Sequence, residues 1–156
     1  MTVMNIRNLA RAATALVSVG VVFSLSGCSL LFGPQYRDKS GQVTATASVD
    51  SDALKVGDCI YNVSDIGDTV SKVTVVPCDQ PHEAELYSIG KSVANNKDDM
   101  ENFCATSFAD FDGIDIDSSN LSVTYIHSQT GDTTDVQCIA YIEGQMVTTS
   151  YKDSKQ

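Results

Sequence analysis

Thr134-Asp135-Val136-Gln137-Cys138-Ile139-Ala140-Tyr141-Ile142 is the stretch on which the fold turns. Its side chains alternate, so Val136, Cys138, Ala140 and Ile142 share one face of a β-strand. Upstream, Asn96 to Phe111 repeats with a helical period instead. Met100, Phe103, Cys104, Phe108 and Phe111 fall on one side of that helix. Asn96 is a capping residue, Asp98 and Asp99 suit the positive end of the helix dipole, and Gly113 closes the element. Laying the helical stripe on the strand's apolar face brings Cys104 towards Cys138. The expectation is an α+β fold, a small antiparallel sheet with one packed helix.

Other segments supply the remaining strands. Cys59 to Val63 and Val70 to Val76 are short candidates, the second rich in Val and Thr. Pro77, Asp79, Gln80 and Pro81 force a turn around Cys78. Glu83 to Val93 resumes as a strand, with Ala84, Leu86 and Ser88 on one face and Glu85, Tyr87 and Ile89 on the other. Leu121 to His127 and Met146 to Tyr151 complete the set, the latter joined to its predecessor by a hairpin turn at Glu143-Gly144-Gln145.

At the start of the chain, Arg7 and Arg11 precede an uncharged, apolar-rich run from Ala12 to Ser24, followed by Leu25-Ser26-Gly27-Cys28. A positive start, an apolar core and small residues before a cysteine describe a bacterial lipoprotein signal peptide. Residues 1–27 would be removed. Cys28 would carry lipid, palmitate included, on its thiol and its amine. A plain transmembrane anchor is one competing reading, because Ala12 to Phe32 holds no charge, and a cleaved secretory signal is the other. Ser18, Gly20, Ser24, Ser26 and Gly27 weaken the C-terminal part of a membrane span. All three readings put residues from about 30 onward outside the cytoplasm, and the lipoprotein reading puts them on the extracytoplasmic face of the cell membrane. Residues 28–53 are rich in Ser, Thr, Ala and Gln and contain Gly33-Pro34. They are expected to be the acylated N-terminus and a flexible tether, and residues 54–156 the folded domain.

The 156-residue chain has 20 acidic and 10 basic residues, a net charge of −10. Such a chain repels nucleic acid. It contains no tryptophan, which argues against a sugar-stacking surface. Cys59, Cys78, Cys104 and Cys138 form an even set in an exported chain, the pattern of two disulfides. Three connectivities are open to four cysteines. Cys59–Cys78 with Cys104–Cys138 is favoured, because the first two flank neighbouring strand candidates and the others face each other across the helix–sheet contact. No Cys-x-x-Cys spacing suggests zinc.

Val56-Gly57-Asp58-Cys59 and Val76-Pro77-Cys78-Asp79-Gln80-Pro81-His82-Glu83-Ala84-Glu85 make the densest signature. It is a cysteine-stapled turn bounded by prolines and ending in a histidine and two carboxylates. The plain reading is structural, with His82 bonded to nearby backbone. A metal site would need His82 and Glu85 on one face, but on a strand they fall on opposite faces. General acid–base work by His82 lacks an evident nucleophile. His-Glu-x-x-His and Gly-x-Ser-x-Gly are both absent. Counting from Asp110, the Asp-rich stretch to Asp117 places Ile114 and Leu121 where a calcium loop needs oxygen ligands, which leaves a solvated helix-to-strand loop. His127 is expected as a surface histidine. No catalytic residue, cofactor or metal follows from these patterns.

This signature resembles the septum formation family of small extracytoplasmic envelope domains. The resemblance rests on Val56-Gly57-Asp58-Cys59, on Pro-Cys-x-x-Pro-His-x-x-Glu from Pro77 to Glu85, on Cys104, and on Gly131-Asp132 ahead of Val136-x-Cys138. The family often has a proline and a tryptophan before the last Gly-Asp, and Tyr125 to Thr130 lacks both. The resemblance implies an association with cell division but no reaction. The chain is therefore expected to be a non-enzymatic binding or scaffold module of the envelope. It would meet the membrane through lipid on Cys28, and an envelope or division protein through Pro77, Asp79, Pro81, His82 and Glu85. A cell-wall hydrolase or metal-dependent envelope enzyme is the main alternative, and a transporter accessory protein a weaker one.

Overall fold

The computed structural model describes residues 35–64, 66 and 70–156. The stretch expected to be a signal, Arg7 to Cys28, and the expected lipidation of Cys28 lie outside the described residues. Among the described residues, six strands and one α-helix follow in chain order: β1 (Ala47–Asp50), β2 (Cys59–Ile60), β3 (Lys72–Val76), β4 (Ala84–Ala94), α1 (Lys97–Asp112), β5 (Ser122–Thr130) and β6 (Thr133–Tyr141). All pairings are antiparallel, in the order β1-β3-β2-β4-β6-β5. The fold is α+β, as the alternation of β6 and the stripe of α1 predict.

The helix ends where its sequence says. Asn96 is the N-cap and accepts from the Asp99 backbone N–H at 2.9 Å. Gly113 takes φ 84°, which only glycine adopts freely, and donates to Ala109 O at 3.0 Å. Met100, Cys104, Phe108 and Phe111 are buried against Tyr87, Val136, Cys138 and Ala140. Tyr87 lies edge-on to Phe108 and stacks on Phe111, contacts that add about 0.5–1.5 kcal/mol per pair beyond the area they bury. Gly90 lets α1 approach β4 closely, because a Cβ there would lie 2.8 Å from the Phe103 ring. Both disulfides form as favoured, Cys59–Cys78 and Cys104–Cys138.

The opposite face of the sheet holds a second core of Val49, Leu54, Ile60, Val73, Val75, Ala84, Leu86, Ile126 and Ile139. Here the sheet curls on itself. Four strand spacings separate β1 from β6, roughly 19 Å if the sheet were flat. Yet Gln137 Nε2 on β6 donates to Ser51 O, next to β1, at 2.7 Å.

Three expectations are corrected. The domain does not begin at 54: Val49 on β1 is buried, and Arg37 and Val43 form a bridge upstream of it. The tether reading failed there because β1 is a short edge with only alternate residues turned inward. Met146–Tyr151 is not a strand. Its one ladder contact is an isolated bridge between Val147 and His82, so the turn at 143–145 leads the chain across to a new neighbour rather than back along β6. Ile89 does not share a face with Tyr87. A register shift between Leu86 and Ser88 returns Ile89 to the side of Leu86 and leaves Tyr87 under the helix.

Candidate functional site

The stapled turn runs from Pro77 to Glu83, between β3 and β4, and the block ends at Glu85 on β4. Gln80 N–H donates to Pro77 O at 2.9 Å, closing a β-turn over Cys78 and Asp79. Cys59, buried on β2, holds the turn against the sheet through Cys78. Of the five residues expected to form one contact patch, Asp79 and Pro81 are exposed and Pro77 is half-buried.

His82 and Glu85 are a correction, since both are interior. His82 is 0 % exposed. Its Nδ1 lies 2.8 Å from Gln80 O, so that nitrogen carries the proton and donates. Its Nε2 is buried without a hydrogen-bond partner. The His82 backbone exchanges two hydrogen bonds with Val147, and its ring stands edge-on to Tyr151. Glu85 accepts from the Ser150 hydroxyl with both oxygens and from Tyr151 N–H at 2.8 Å. Glu83 accepts from Val63 N–H at 2.9 Å, while its backbone oxygen accepts from the Tyr151 hydroxyl. His82, the Glu85 carboxylate and the Glu83 backbone thus anchor the C-terminal segment, while the Glu83 carboxylate ties the loop at Val63. In this arrangement His82 cannot touch a substrate, which proton transfer requires.

Asp58, from the Val-Gly-Asp-Cys part of the signature, is also buried. It forms a two-armed ion pair with Arg37 and accepts from Lys55 N–H at 2.8 Å. The carboxylate raises the Arg37 pKa above its already high ordinary value. Asp112, in the stretch tested for calcium, is 0 % exposed rather than solvated. It accepts from the Ser119 and Ser154 hydroxyls and from Lys155 N–H. His127 is half-buried within β5 instead of at the surface, with Nδ1 lacking a partner. Among the described residues no group of three or more His, Cys, Asp or Glu could hold a metal ion, and no helix is long and apolar enough to cross a membrane.

What the turn presents to solvent is a ridge between two hollows. One, about 460 Å³, is bordered by Val43, Thr44, Gly57, Cys78 and Asp79. The other, about 640 Å³, lies over the outer face of β1, β3 and β2, where Thr46, Thr74 and Val76 meet Tyr61, Gln80 and Pro81. Tyr61 is 48 % exposed, an unusual solvent area for an aromatic ring. No motif marks Tyr61. Its outward parity one step beyond the inward Ile60 is the only sequence signal for it. The chain matches no protein-family model, no curated protein and no solved structure.

Proposed function

We propose that this chain is an acylated envelope lipoprotein, anchored through Cys28. Its domain is a non-enzymatic protein-binding module linked to septum formation and cell division. The observation that carries the reading is the division of the Pro77–Glu85 block. His82 and Glu85 are consumed by the fold, while Pro81 and Asp79 are displayed beside the open ring of Tyr61. An exposed tyrosine in a shallow apolar hollow has the composition of a protein contact, where Tyr is enriched among the residues that dominate binding. Two disulfides support a compartment outside the cytoplasm. The contact surface is accordingly Tyr61, Asp79 and Pro81 with half-buried Pro77.

A photo-crosslinking side chain at Pro81 in intact cells should capture one dominant envelope protein, and Tyr61→Ala should abolish that capture while leaving the fold intact. Septa should be misplaced or delayed in cells depleted of the protein. Normal septa would refute the division link. Diffuse crosslinks insensitive to Tyr61→Ala would refute the contact surface. Cys28→Ala should release the protein from the membrane fraction.

A further inference from the structure

The two edges of the sheet differ. β1 has four residues and carries an Asp50–Lys72 ion pair at 2.7 Å. β5 has nine, joined to β6 by an unbroken register from Ser122↔Tyr141 to Thr130↔Thr133. Native edges deter added strands with charges, prolines, bulges or shortness. β5 has none of these: it is Ser-Val-Thr-Tyr-Ile-His-Ser-Gln-Thr. Among the described residues no backbone hydrogen bond reaches its outer side.

A groove of about 340 Å³ lies between this strand and α1, with Cys104, Ala105 and Ile116 on one side and Val123, Thr124 and Tyr125 on the other. Val123 and Tyr125 pack towards the helix, and Thr124 alternates to the opposite face. A hollow that touches all three lies over the edge of the strand, where its backbone is open. Its apolar lining is half-buried apart from buried Cys104. Exposed Asp115 and Asp117 flank Ile116 and make that end of the rim acidic, while Glu101, also at the border, is paired with Lys97 at 3.4 Å.

We propose that β5 takes up an extended peptide segment of a partner protein as an added strand. Backbone groups continue the ladder, apolar side chains at alternate positions enter the groove beside α1, and a basic residue meets Asp115 or Asp117. This is strand addition guided by side-chain pockets and charge complementarity. The inference rests on the reading of the domain as a protein-binding module, and it concerns a surface other than that of Tyr61 and Pro81.

The test uses the full chain in detergent micelles. The probe is a short peptide alternating valine and threonine with a lysine at each end. A control peptide carries proline at alternate positions. The first should bind saturably and slow amide exchange along β5, and the proline control should do neither. Ala105→Glu, half-buried on the α1 wall of the groove, should weaken binding by about tenfold or more while the amide exchange of α1 and β6 stays as in the parent chain. Unchanged exchange in β5, equal binding of the proline control, or sedimentation showing the edge already paired with a second copy would each overturn the proposal. Tyr61-dependent crosslinks from Pro81 that persist while β5 stays unprotected would sink this inference and leave the first reading standing. Loss of those crosslinks with β5 still binding would do the reverse.

Discussion

At the N-terminal end of the described chain, Arg37 reaches back to Asp58, and both side chains are nearly buried, at 10 % and 4 % exposure. At the C-terminal end, Glu85 and Asp112 hold Ser150 to Lys155, but every donor they accept from is a hydroxyl or a backbone N–H. Both ends lie largely outside the sheet ladder, and both are fixed by buried carboxylates. The difference is that one anchor is an ion pair and in the other the carboxylates accept only from neutral donors. Removing one member of a buried ion pair strands a charge, whereas removing a carboxylate from the tail strands only neutral donors. The two ends should therefore fail to very different degrees.

Asp58→Ala is the strongest way to break that symmetry. It leaves the Arg37 guanidinium buried without its counter-charge and should cost about 3–5 kcal/mol in urea unfolding. Replacing both partners, Arg37→Met with Asp58→Leu, should recover most of that loss. A double variant as unstable as the single one would mean that Asp58 acts mainly through its bond to Lys55 N–H. The disulfides extend the comparison to the two halves of the sheet. With sequence separations of 34 and 19, losing Cys104–Cys138 should cost about 4 kcal/mol and losing Cys59–Cys78 about 3 kcal/mol by loop entropy. Cys104 and Cys138 are both buried, so alanine pairs there should add a packing loss that widens the gap. Equal melting temperatures for the two alanine pairs would contradict this.

Glu85→Gln keeps an acceptor but loses the charge. It should cost about 1–2 kcal/mol and speed amide exchange at Tyr151, with no change at residues near Arg37. Tyr87→Phe removes one hydrogen bond, from the Tyr87 hydroxyl to Cys104 O at 2.8 Å, worth about 1 kcal/mol. It should also alter alkaline unfolding. Burial pushes the Tyr87 phenol above its ordinary value of 10.0, so the unfolded chain releases this proton first. Stability then falls as pH rises past 10 and goes on falling until the buried phenol ionises. Tyr151 shifts in the same direction, also by burial first. A shallower alkaline decline in Tyr87→Phe is the expected result, and an identical decline would assign it to other groups.

Much of the fold is legible in the chain because periodicity reports burial directly. The stripe of α1, the alternation of β6, the Asn96 cap and the pairing of Cys104 with Cys138 all follow from which side chains share a face. Errors arise where a single partner outweighs pattern. Val147 meets His82 rather than β6, and the shift at Tyr87 moves Ile89 to the other side of β4. The candidate site was half legible. Pro77 to Pro81 is visibly a turn, but nothing in the residue types of His82 and Glu85 says that they point inward, since the same side chains suit a binding surface. Arg37 sits among Ser, Gly and Gln, and its role depends on a carboxylate 21 positions away.

By itself, then, the sequence determined the helix, most of the strands, the acidic charge and a cysteine set suited to two bridges, because local spacing decides which residues can share a face. Only the tertiary structure decided which polar residues of the stapled turn serve the interior. It also decided that the N-terminal arm belongs to the domain, and that β5 is the long open edge. Those outcomes depend on contacts between segments far apart in sequence, where one hydrogen bond or ion pair chooses between arrangements that local propensity leaves equal.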